Sequence, residues 1–479
     1  MPLEQLPDHS DNGIFVAELS FFLFSGGKLG LSAYKLITRE AYDQLLTHAS
    51  GEQDFVYLGS IGAGESRGTH SAFSALGSDH LSLAYAEGQP LASAAIATTI
   101  ERSLAPYREP ITDPLPCLTG GWIGFISYEF GYDTETKLHP LRRELALPLL
   151  SAGLYLWMAS YHRSSGQHYL WIHHQCPVST RDQLDQWLTI QPEKSGLPWK
   201  ILSPFRARQP KTDFKASVER VRSYIAAGDC YQANLSQEFS ATCSGDSWDA
   251  FRALSEANPT AHSAFIRAGK QSVLSVSPER FLKVKANTVT TSPIKGTRPR
   301  GNTPEEDARL ATELMQSEKD RAENLMIVDL LRNDLSKNAA NGSVEVDRLF
   351  ELESYRNVHH LVSHIRCQLA EGVTPMKALL DAFPGGSITG APKIRAMEII
   401  RELEPHHRGP YCGSVFFRGL DDSLESNIAI RTLFCDGDGK IYCCGGGGVV
   451  SDSDPESEYQ ETLTKVKPLM EFLESLGSQ

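Results

Sequence analysis

The segment SPIKGTRPRG, residues 292–301, is the stretch from which the fold and chemistry of this 479-residue chain can be argued. It follows a β-rich run, TVTT at 288–291, and it places Lys295 directly before a Gly-Thr pair that favours a turn. Arg298 and Arg300 follow closely, and nearby positive charge favours the neutral, nucleophilic form of a lysine. Taken alone, the segment is equally consistent with a surface turn that carries three solvated cations.

Further short motifs follow one another along the second half of the chain. In order, they are YQANLSQ (231–237), SPERF (277–281), DRAENL (320–325), VDLLRND (328–334), HLVS (360–363), GGSITGAPK (385–393), IRT (430–432), GGG (446–448) and DSDPESEYQET (452–462). Together with the lysine segment, this series closely resembles the motifs of the chorismate-utilising enzymes. The resemblance is dense from Phe214 to Pro468 and thin before Phe214.

Composition and charge place the chain among globular proteins. Its residues are 41% hydrophobic and 22% charged, and its formal net charge is −13. So acidic a chain, without clustered cations, argues against a nucleic-acid partner. Nine cysteines without a CxxC pair favour reduced thiols in a cytoplasmic protein. We expect no signal peptide and no membrane span, and the apolar run Leu19–Phe24 is long enough only for a buried strand.

Local signals predict alternating helices and strands after about residue 210. A helix is expected over Asp213–Ala227, and capping residues predict further helix starts at Thr303, Ser317 and Asp454. Strands are expected at Ser272–Val276, Phe281–Val284, Thr288–Thr291, Gly413–Phe417, Ile428–Phe434 and Lys440–Cys444. The turn DGDG at 436–439 favours antiparallel pairing, so the residues themselves indicate the α+β class.

The resemblance implies a more specific α+β architecture. It implies two antiparallel β-sheets that are packed together and flanked by helices, as in component I of the anthranilate synthases. The organisation expected is an N-terminal region at 1–190, a linker at 191–212 and a chorismate-binding catalytic region at 213–479. The two regions are expected to be interwoven in one body.

Three glutamates are candidate metal ligands. Glu458 and Glu461 are three residues apart on a predicted helix, so their carboxylates share one face. Read singly, they are acidic residues in a first helical turn, which the helix dipole favours, and Glu323 is an ordinary solvated helix residue. Together, three carboxylates supply the hard oxygen ligands that suit Mg²⁺. The resemblance implies that they form a magnesium site beside a carboxylate of the substrate.

Glu279 and Lys295 are the candidate catalytic residues. Read singly, Glu279 is a turn carboxylate paired with Arg280. The resemblance implies that Glu279 is the general acid that protonates the departing 4-hydroxyl of chorismate, because hydroxide is a poor leaving group. It also implies that Lys295 is a nucleophile that attacks C2 of the ring. Anthranilate synthases carry alanine at this lysine position.

Other residues are expected to line the substrate pocket. Glycines let backbone N–H groups approach an anion closely, and arginine suits a bidentate clamp on a carboxylate. The resemblance implies that the substrate-binding residues are Gln232, Thr297, His360, Tyr411, Arg431, Gly447, Gly448 and Lys465. Isochorismate and salicylate synthases place a lysine at the position of Gln232 to activate water, and a neutral glutamine cannot act as that base. This difference points to nitrogen as the incoming nucleophile.

The resemblance therefore implies the conversion of chorismate and ammonia to 4-amino-4-deoxychorismate, a step toward p-aminobenzoate and folate. None of the nine cysteines lies in a glycine-flanked nucleophile elbow, so ammonia is expected from solution or from a separate glutamine amidotransferase subunit (component II). Three alternatives stay open at this point. They are component I of an anthranilate synthase, a pyridoxal-phosphate enzyme with Lys295 as its Schiff-base lysine, and a catalytically inactive binding protein.

Overall fold

The structure is a computed structural model that describes residues 33–61, 68–84, 91–108, 115–134, 138, 147–192, 198–355 and 358–476. Its strands are β1 (Ala33–Ile37), β2 (Val56–Leu58), β3 (His70–Ser74), β4 (Asp79–Leu83), β5 (Gly121–Ile126), β6 (Leu150–Tyr155), β7 (Trp157–His162), β8 (Gln167–Ile172), β9 (Lys200–Ile201), β10 (Arg206–Ala207), β11 (Gln232–Ser244), β12 (His262–Ala268), β13 (Gln271–Ser277), β14 (Arg280–Lys285), β15 (Thr288–Thr291), β16 (Ile294–Pro299), β17 (Glu345–Ser354), β18 (Val358–Gln368), β19 (Gly390–Ala391), β20 (Ser414–Gly419), β21 (Leu424–Asn427), β22 (Thr432–Cys435) and β23 (Lys440–Val449). Its helices are α1 (Arg39–Ala49), α2 (Ser93–Leu104), α3 (Phe130–Thr134), α4 (Val178–Thr189), α5 (Lys211–Ala226), α6 (Ser247–Ala257), α7 (Pro304–Gln316), α8 (Glu318–Ser336), α9 (Pro375–Ala382), α10 (Lys393–Leu403) and α11 (Pro455–Leu476).

The described strands form two antiparallel sheets. The first has the order β1-β8-β7-β3-β2-β12-β13-β22-β23-β11-β10, and β9 and β19 also pair with β11. The second has the order β16-β18-β15-β14-β21-β20-β5-β6-β4, and β17 also pairs with β18. Each sheet contains strands from before residue 190 and from after residue 213. The α+β fold of two antiparallel sheets flanked by helices is thus confirmed.

The main hydrophobic core lies between the two sheets. It joins Ile266 and Val273 of the first sheet to Trp122 and Phe416 of the second, and all four side chains are at most 3% exposed. Alternate residues of the first sheet face the other way, where α1, α4, α6 and α11 cover one apolar cluster and α5 and α10 cover another. Burial of this apolar surface is the main term that stabilises the fold.

Capping residues set the helix starts where the sequence predicts them. Thr303 accepts a hydrogen bond from the backbone N–H of Glu306 at the start of α7. Ser317 does the same for Asp320 at the start of α8, and α11 begins directly after Asp454. These bonds satisfy N–H groups that have no partner within their own helix.

Two predicted strands differ from the observed ones. The single strand predicted at Ile428–Phe434 is wrong in its bounds: β21 ends at Asn427, and β22 begins only at Thr432. The residue before β22 is Arg431, whose φ of +50° interrupts the extended conformation. Strand β23 continues beyond Cys444 to Val449, because its glycines allow a close approach to β11. The described part of the predicted linker contains β9 and β10, which pair with β11. The run Leu19–Phe24 lies outside the described residues.

A buried ion pair joins the early part of the chain to the late part. Arg418 of β20 is fully buried and donates hydrogen bonds of 3.0 and 2.8 Å to Glu101 of α2. Arg108 also pairs with Glu101, and Asp422 also pairs with Arg418, so the buried pair is the centre of a small charge network. This pair therefore fixes α2 against the second sheet.

The remaining expectations concern membranes and cysteines. Among the described helices, none combines the length and the apolar composition that crossing a bilayer requires. All nine cysteines are buried and free, as expected for reduced thiols.

Candidate active site

Lys295 lies on β16, at the edge of the second sheet. The register with β18 shifts around Gly296, which has a φ of +80°. A Cβ atom on Gly296 would lie 2.8 Å from a side-chain carbon of Leu314 and 3.0 Å from Asp320. Only glycine therefore lets this strand lie so close to α7 and α8. The turn predicted at Gly296-Thr297 is instead an irregular part of strand β16.

The two arginines beyond the lysine do not have the role predicted for them. Arg298 donates hydrogen bonds to Glu313 at 2.8 Å and to Asp320 at 3.2 Å. Arg300 donates to both oxygens of Asp307, at 2.7 Å each. Carboxylates on α7 and α8 thus compensate both guanidinium charges, so the argument that arginine charge favours a neutral lysine is wrong.

Carboxylates, by contrast, lie near the half-buried Lys295. Burial raises the pKa of Glu279, of Glu323 and of Glu461, and the positive charge of Lys295 opposes that effect in each case. The result is a raised pKa for Glu279 and Glu323 and a lowered one for Glu461. The structure therefore brings the predicted nucleophile, the predicted acid and two predicted metal ligands into one cluster.

Glu279 lies between β13 and β14, and its side chain is only 8% exposed. The Ser387 hydroxyl donates a hydrogen bond of 3.2 Å to Glu279 Oε1. Burial raises the pKa of Glu279, although the charges of Lys295 and Lys465 and the Ser387 hydrogen bond oppose this. A carboxyl group in such a place keeps its proton to a higher pH than an exposed one, which is what a general acid requires.

Glu458 and Glu461, at the start of α11, face Gly447 of β23. A Cβ atom on Gly447 would lie 3.1 Å from Glu458 Oε2 and 3.1 Å from Glu461 Oε1, so both carboxylates converge on the space beside this glycine. The Ser453 hydroxyl donates a hydrogen bond of 2.6 Å to Glu458 Oε1 and orients that carboxylate. Lys465 donates to Glu461 Oε1 at 2.7 Å.

These carboxylates form a donor set that fits a magnesium ion. Burial raises the pKa of Glu323 and Glu458, and the negative charge of Glu461 raises both further. Hard oxygen ligands that repel one another are stabilised by a divalent cation. The space beside Gly447, which any larger residue would fill, is where the oxygens of Glu458 and Glu461 meet.

We predict that Gly447→Ala lowers the apparent affinity for Mg²⁺ by about tenfold or more, because its methyl group would push against both carboxylates. Titration of turnover with Mg²⁺ measures this effect. Gly51→Ala is the matched control, since a Cβ atom there meets only an ordinary contact at 3.4 Å. An unchanged Mg²⁺ dependence in a folded Gly447→Ala protein would contradict the assignment.

Gln232 begins β11 and covers Gly448. Its side chain is 1% exposed, and its Nε2 atom has no hydrogen-bond partner among the described residues. That nitrogen would lie 2.5 Å from a Cβ atom on Gly448. Asn234 is the next residue on the same face of the strand; it is 8% exposed, and its Oδ1 atom is also without a partner there. Because such buried polar atoms are uncommon, this face is suited to receive a ligand.

Arg431 lies in the turn between β21 and β22. Its side chain is exposed and has no hydrogen bond or ion pair with any described residue. The turn is held beside Glu279, because Ile428 donates its N–H to Glu279 O at 3.0 Å and Ser277 donates to Ile428 O at 2.6 Å. A left-handed residue other than glycine is typical of functional sites.

Tyr411, which was predicted to line the substrate pocket, is buried, and burial raises its pKa.

Thr297 and His360 form a pair on neighbouring strands. They lie opposite each other on β16 and β18, and Thr297 Oγ1 is 2.9 Å from His360 Nδ1. Thr297 is two residues beyond Lys295, so this pair belongs to the same end of the second sheet.

Three side chains at the site were missed by sequence reasoning. Ser387 orients Glu279, and Ser453 orients Glu458. The third is Lys319, whose positive charge acts to lower the pKa of all three predicted metal ligands, against the larger effect of burial. Ser453 lies just before the predicted start of α11, so its position near Glu458 could have been predicted from the sequence. Ser387 has no such signal, because its partner is 108 residues away in the sequence.

Comparison with known proteins identifies relatives of this chain. The chain is 42% identical over 366 residues to aminodeoxychorismate synthase component 1 of Salmonella typhimurium (strain LT2), which covers 76% of this chain and 79% of that protein. It is 35% identical over 401 residues to anthranilate synthase component 1 of Bacillus caldotenax, which covers 78% of each. Its fold is similar to the crystal structure of anthranilate synthase component I from Streptococcus pneumoniae TIGR4, with a TM-score of 0.72, 29% identity and coverage of 86% of this chain and 94% of that one.

A family model described as chorismate binding enzyme matches residues 50–471, which include the whole of the candidate site. The chain belongs to the chorismate binding enzyme family.

Proposed function

We propose that this chain acts as component I of an aminodeoxychorismate synthase. In that role it converts chorismate and ammonia to 4-amino-4-deoxychorismate, a precursor of p-aminobenzoate and folate. The observation that carries the proposal is the position of Lys295, whose charge acts on Glu279 and on the metal-ligand candidates Glu323 and Glu461. The similarity to aminodeoxychorismate synthase component 1 supports it.

In the first step, Lys295 has passed its ammonium proton to solvent, and its neutral amine nitrogen forms a bond to C2 of the chorismate ring. The ring double bonds shift and the bond between C4 and its oxygen breaks. Glu279 gives its proton to that oxygen, which leaves as water. Burial raises the pKa of Glu279, which favours the protonated form that this step uses.

In the second step, ammonia forms a bond to C4, and the double bonds shift back as the bond between C2 and Lys295 breaks. The extra proton on the new C–N nitrogen passes to the Glu279 carboxylate, which restores the acid. Two displacements at conjugated positions replace one difficult displacement, which is the general advantage of covalent catalysis. The neutral Gln232 cannot deprotonate water, so water does not compete as a nucleophile through that residue.

The substrate is held at its carboxylates. The Arg431 guanidinium, which has no partner among the described residues, suits a bidentate contact with one of them. Gly447 and Gly448 add no side chain that would keep a ligand away from the backbone of β23. Glu323, Glu458 and Glu461 would hold Mg²⁺, which supplies positive charge to the other carboxylate. Fixing both groups presents C2 and C4 to the two nucleophiles.

Nitrogen comes from a partner in this proposal. Glutamine hydrolysis needs an accessible thiolate, and all nine cysteines are buried. Burial raises the pKa of Cys412 and Cys443 to about 12. A separate glutamine amidotransferase subunit therefore supplies ammonia, in the cytoplasm, where free thiols persist.

The isolated chain is expected to aminate chorismate with ammonium salts and Mg²⁺ at alkaline pH, where more NH₃ is free, and to be inactive with glutamine alone. Mass analysis of the product is the measurement. Adding the cognate amidotransferase should restore the use of glutamine near neutral pH. Turnover of glutamine by the purified chain, with contaminating amidotransferase excluded, would remove the two-component proposal.

An anthranilate synthase component I is the second candidate, because such relatives reach 35–37% identity. The same mass analysis separates the two activities. 4-Amino-4-deoxychorismate retains the enolpyruvyl group of chorismate, whereas anthranilate has lost it. Lys295 favours the first product, because the resemblance assigns alanine to that position in anthranilate synthases.

A further inference from the structure

A second group of metal-binding side chains lies on β17 and β18, separate from the carboxylates of the candidate active site. We propose that Glu351, Glu353 and His364 form a zinc site, which the proposed reaction does not use. One ligand atom from each residue lies within 4.8 Å of the other two. The side chains are 32%, 12% and 28% exposed, so an ion can reach them from solvent.

Two of the three spacings between the ligand atoms are close to those of a tetrahedral zinc site. His364 Nε2 lies 3.1 Å from Glu351 Oε2 and 3.3 Å from Glu353 Oε1. In a tetrahedral site with zinc–ligand bonds of about 2.0–2.1 Å, neighbouring ligand atoms are about 3.3–3.4 Å apart. Two carboxylates and one imidazole leave a fourth position for water. Little movement is needed to bind the ion.

An irregularity in β17 brings Glu351 toward the histidine. The register between β17 and β18 shifts between Arg348 and Glu351, and Phe350 has a φ of +58° within that interval. The residue of β17 paired with His364 is Arg348, which lies between two register shifts. The irregular backbone after Arg348 is what brings Glu351 within reach of the histidine. Bulges of this kind commonly re-aim a side chain toward a site.

Each ligand is held through its other polar atom. His364 Nδ1 is 3.0 Å from Ser292 Oγ, Arg348 donates to Glu351 Oε1 at 2.6 Å, and Tyr355 donates to Glu353 Oε2 at 2.8 Å. Partners of this kind orient the ligands of zinc sites and fix the tautomer of a ligating histidine. Ser292 also begins the segment that contains Lys295. Bound zinc would therefore tie β17 and β18 to that segment.

One buried ligand atom of the group accepts no hydrogen bond among the described residues. Glu351 Oε2 is buried and accepts no hydrogen bond from any described residue, although His364 Nε2 is close to it. Two carboxylates, a neutral imidazole and one arginine carry a net negative charge, which a divalent cation compensates. The competing occupant is a proton, which would convert His364 to an imidazolium paired with both carboxylates.

Zinc titration of the full chain tests the proposal, with Mg²⁺ in excess so that the active-site carboxylates are occupied. At mildly alkaline pH, calorimetry should show one Zn²⁺ bound per chain. His364→Ala and the isosteric Glu351→Gln should each weaken binding by about tenfold or more, and Ser292→Ala by about tenfold. Co²⁺ in the same site should give the visible absorption of a tetrahedral complex. His80→Ala is the control, because His80 faces the single carboxylate of Asp54 at 3.1 Å.

Absence of zinc binding to the wild-type chain would overturn the proposal in favour of the proton. Equal zinc affinity in the wild type, His364→Ala and Glu351→Gln would also overturn it, since the ion would then be bound elsewhere. Circular dichroism of the Glu351→Gln protein checks that a loss of binding is not a loss of folding.

Discussion

Replacing Lys295 by alanine is expected to reduce the amination of chorismate by about a thousandfold or more, since the proposed covalent step loses its nucleophile. The fold should be retained, because Lys295 lies on the edge strand β16 and is only half-buried. Mass spectrometry of the products at fixed chorismate, Mg²⁺ and ammonium gives the rate. It also shows any product in which the ring has reacted differently.

Lys283→Ala is the matched control for this experiment. Lys283 lies on β14 of the same sheet and pairs with Glu425 at 2.7 Å, away from the carboxylate cluster. Its loss should change the rate by less than about twofold, because such a surface pair contributes little. If the Lys295→Ala protein formed 4-amino-4-deoxychorismate at the wild-type rate, the covalent mechanism would be wrong.

Glu458→Gln is expected to lower turnover at saturating chorismate by more than about a hundredfold, which is more than the loss of an orienting partner alone would cause. The amide keeps the size of the side chain but removes the charge that would bind Mg²⁺. Exhaustive chelation of the wild-type chain should stop turnover, and Mg²⁺ alone, without zinc, should restore it. Steady-state rates across a Mg²⁺ titration measure both effects.

Glu456→Gln provides the comparison on the same helix. Glu456 pairs with Lys211 at 2.6 Å and Lys215 at 3.1 Å on the surface, so its neutral variant should retain activity and Mg²⁺ dependence. Full activity of the wild-type chain after complete metal removal would rule out the magnesium site.

Local signals in the sequence predicted much of the fold, because they depend on neighbouring residues. Thr303 and Ser317 cap their helices through residues three positions away, so the helix starts are readable. The break at Arg431 was not predicted, because a left-handed φ at an arginine has no propensity signal and depends on the surrounding chain. The extension of β23 to Val449 was missed for a related reason: glycines disfavour strands unless another backbone lies close.

For the candidate site, the sequence supplied the residues through the resemblance, but it could not supply their surroundings. The clustering of Lys295 with carboxylates, and the pairing of Arg298 and Arg300 with α7 and α8, depend on which elements pack together. The convergence of Glu458 and Glu461 on Gly447 likewise joins a helix to a strand. Contacts of this kind carry no local signal, so pattern reasoning gave the wrong neighbours for the lysine.

The position of β22 and β23 in the first sheet has a consequence for folding. These strands, at residues 432–449, lie between β13 and β11. The strand pairing of the first sheet therefore cannot be completed until the ribosome has released most of the chain. Contacts between segments so distant in sequence make folding slow and leave strand edges exposed meanwhile. During translation, the early part of the sheet therefore remains without the strands that complete it. This early part consists of β1, β2, β3, β7 and β8. Chaperone binding to ribosome-bound chains should persist until the segment that contains β23 has emerged.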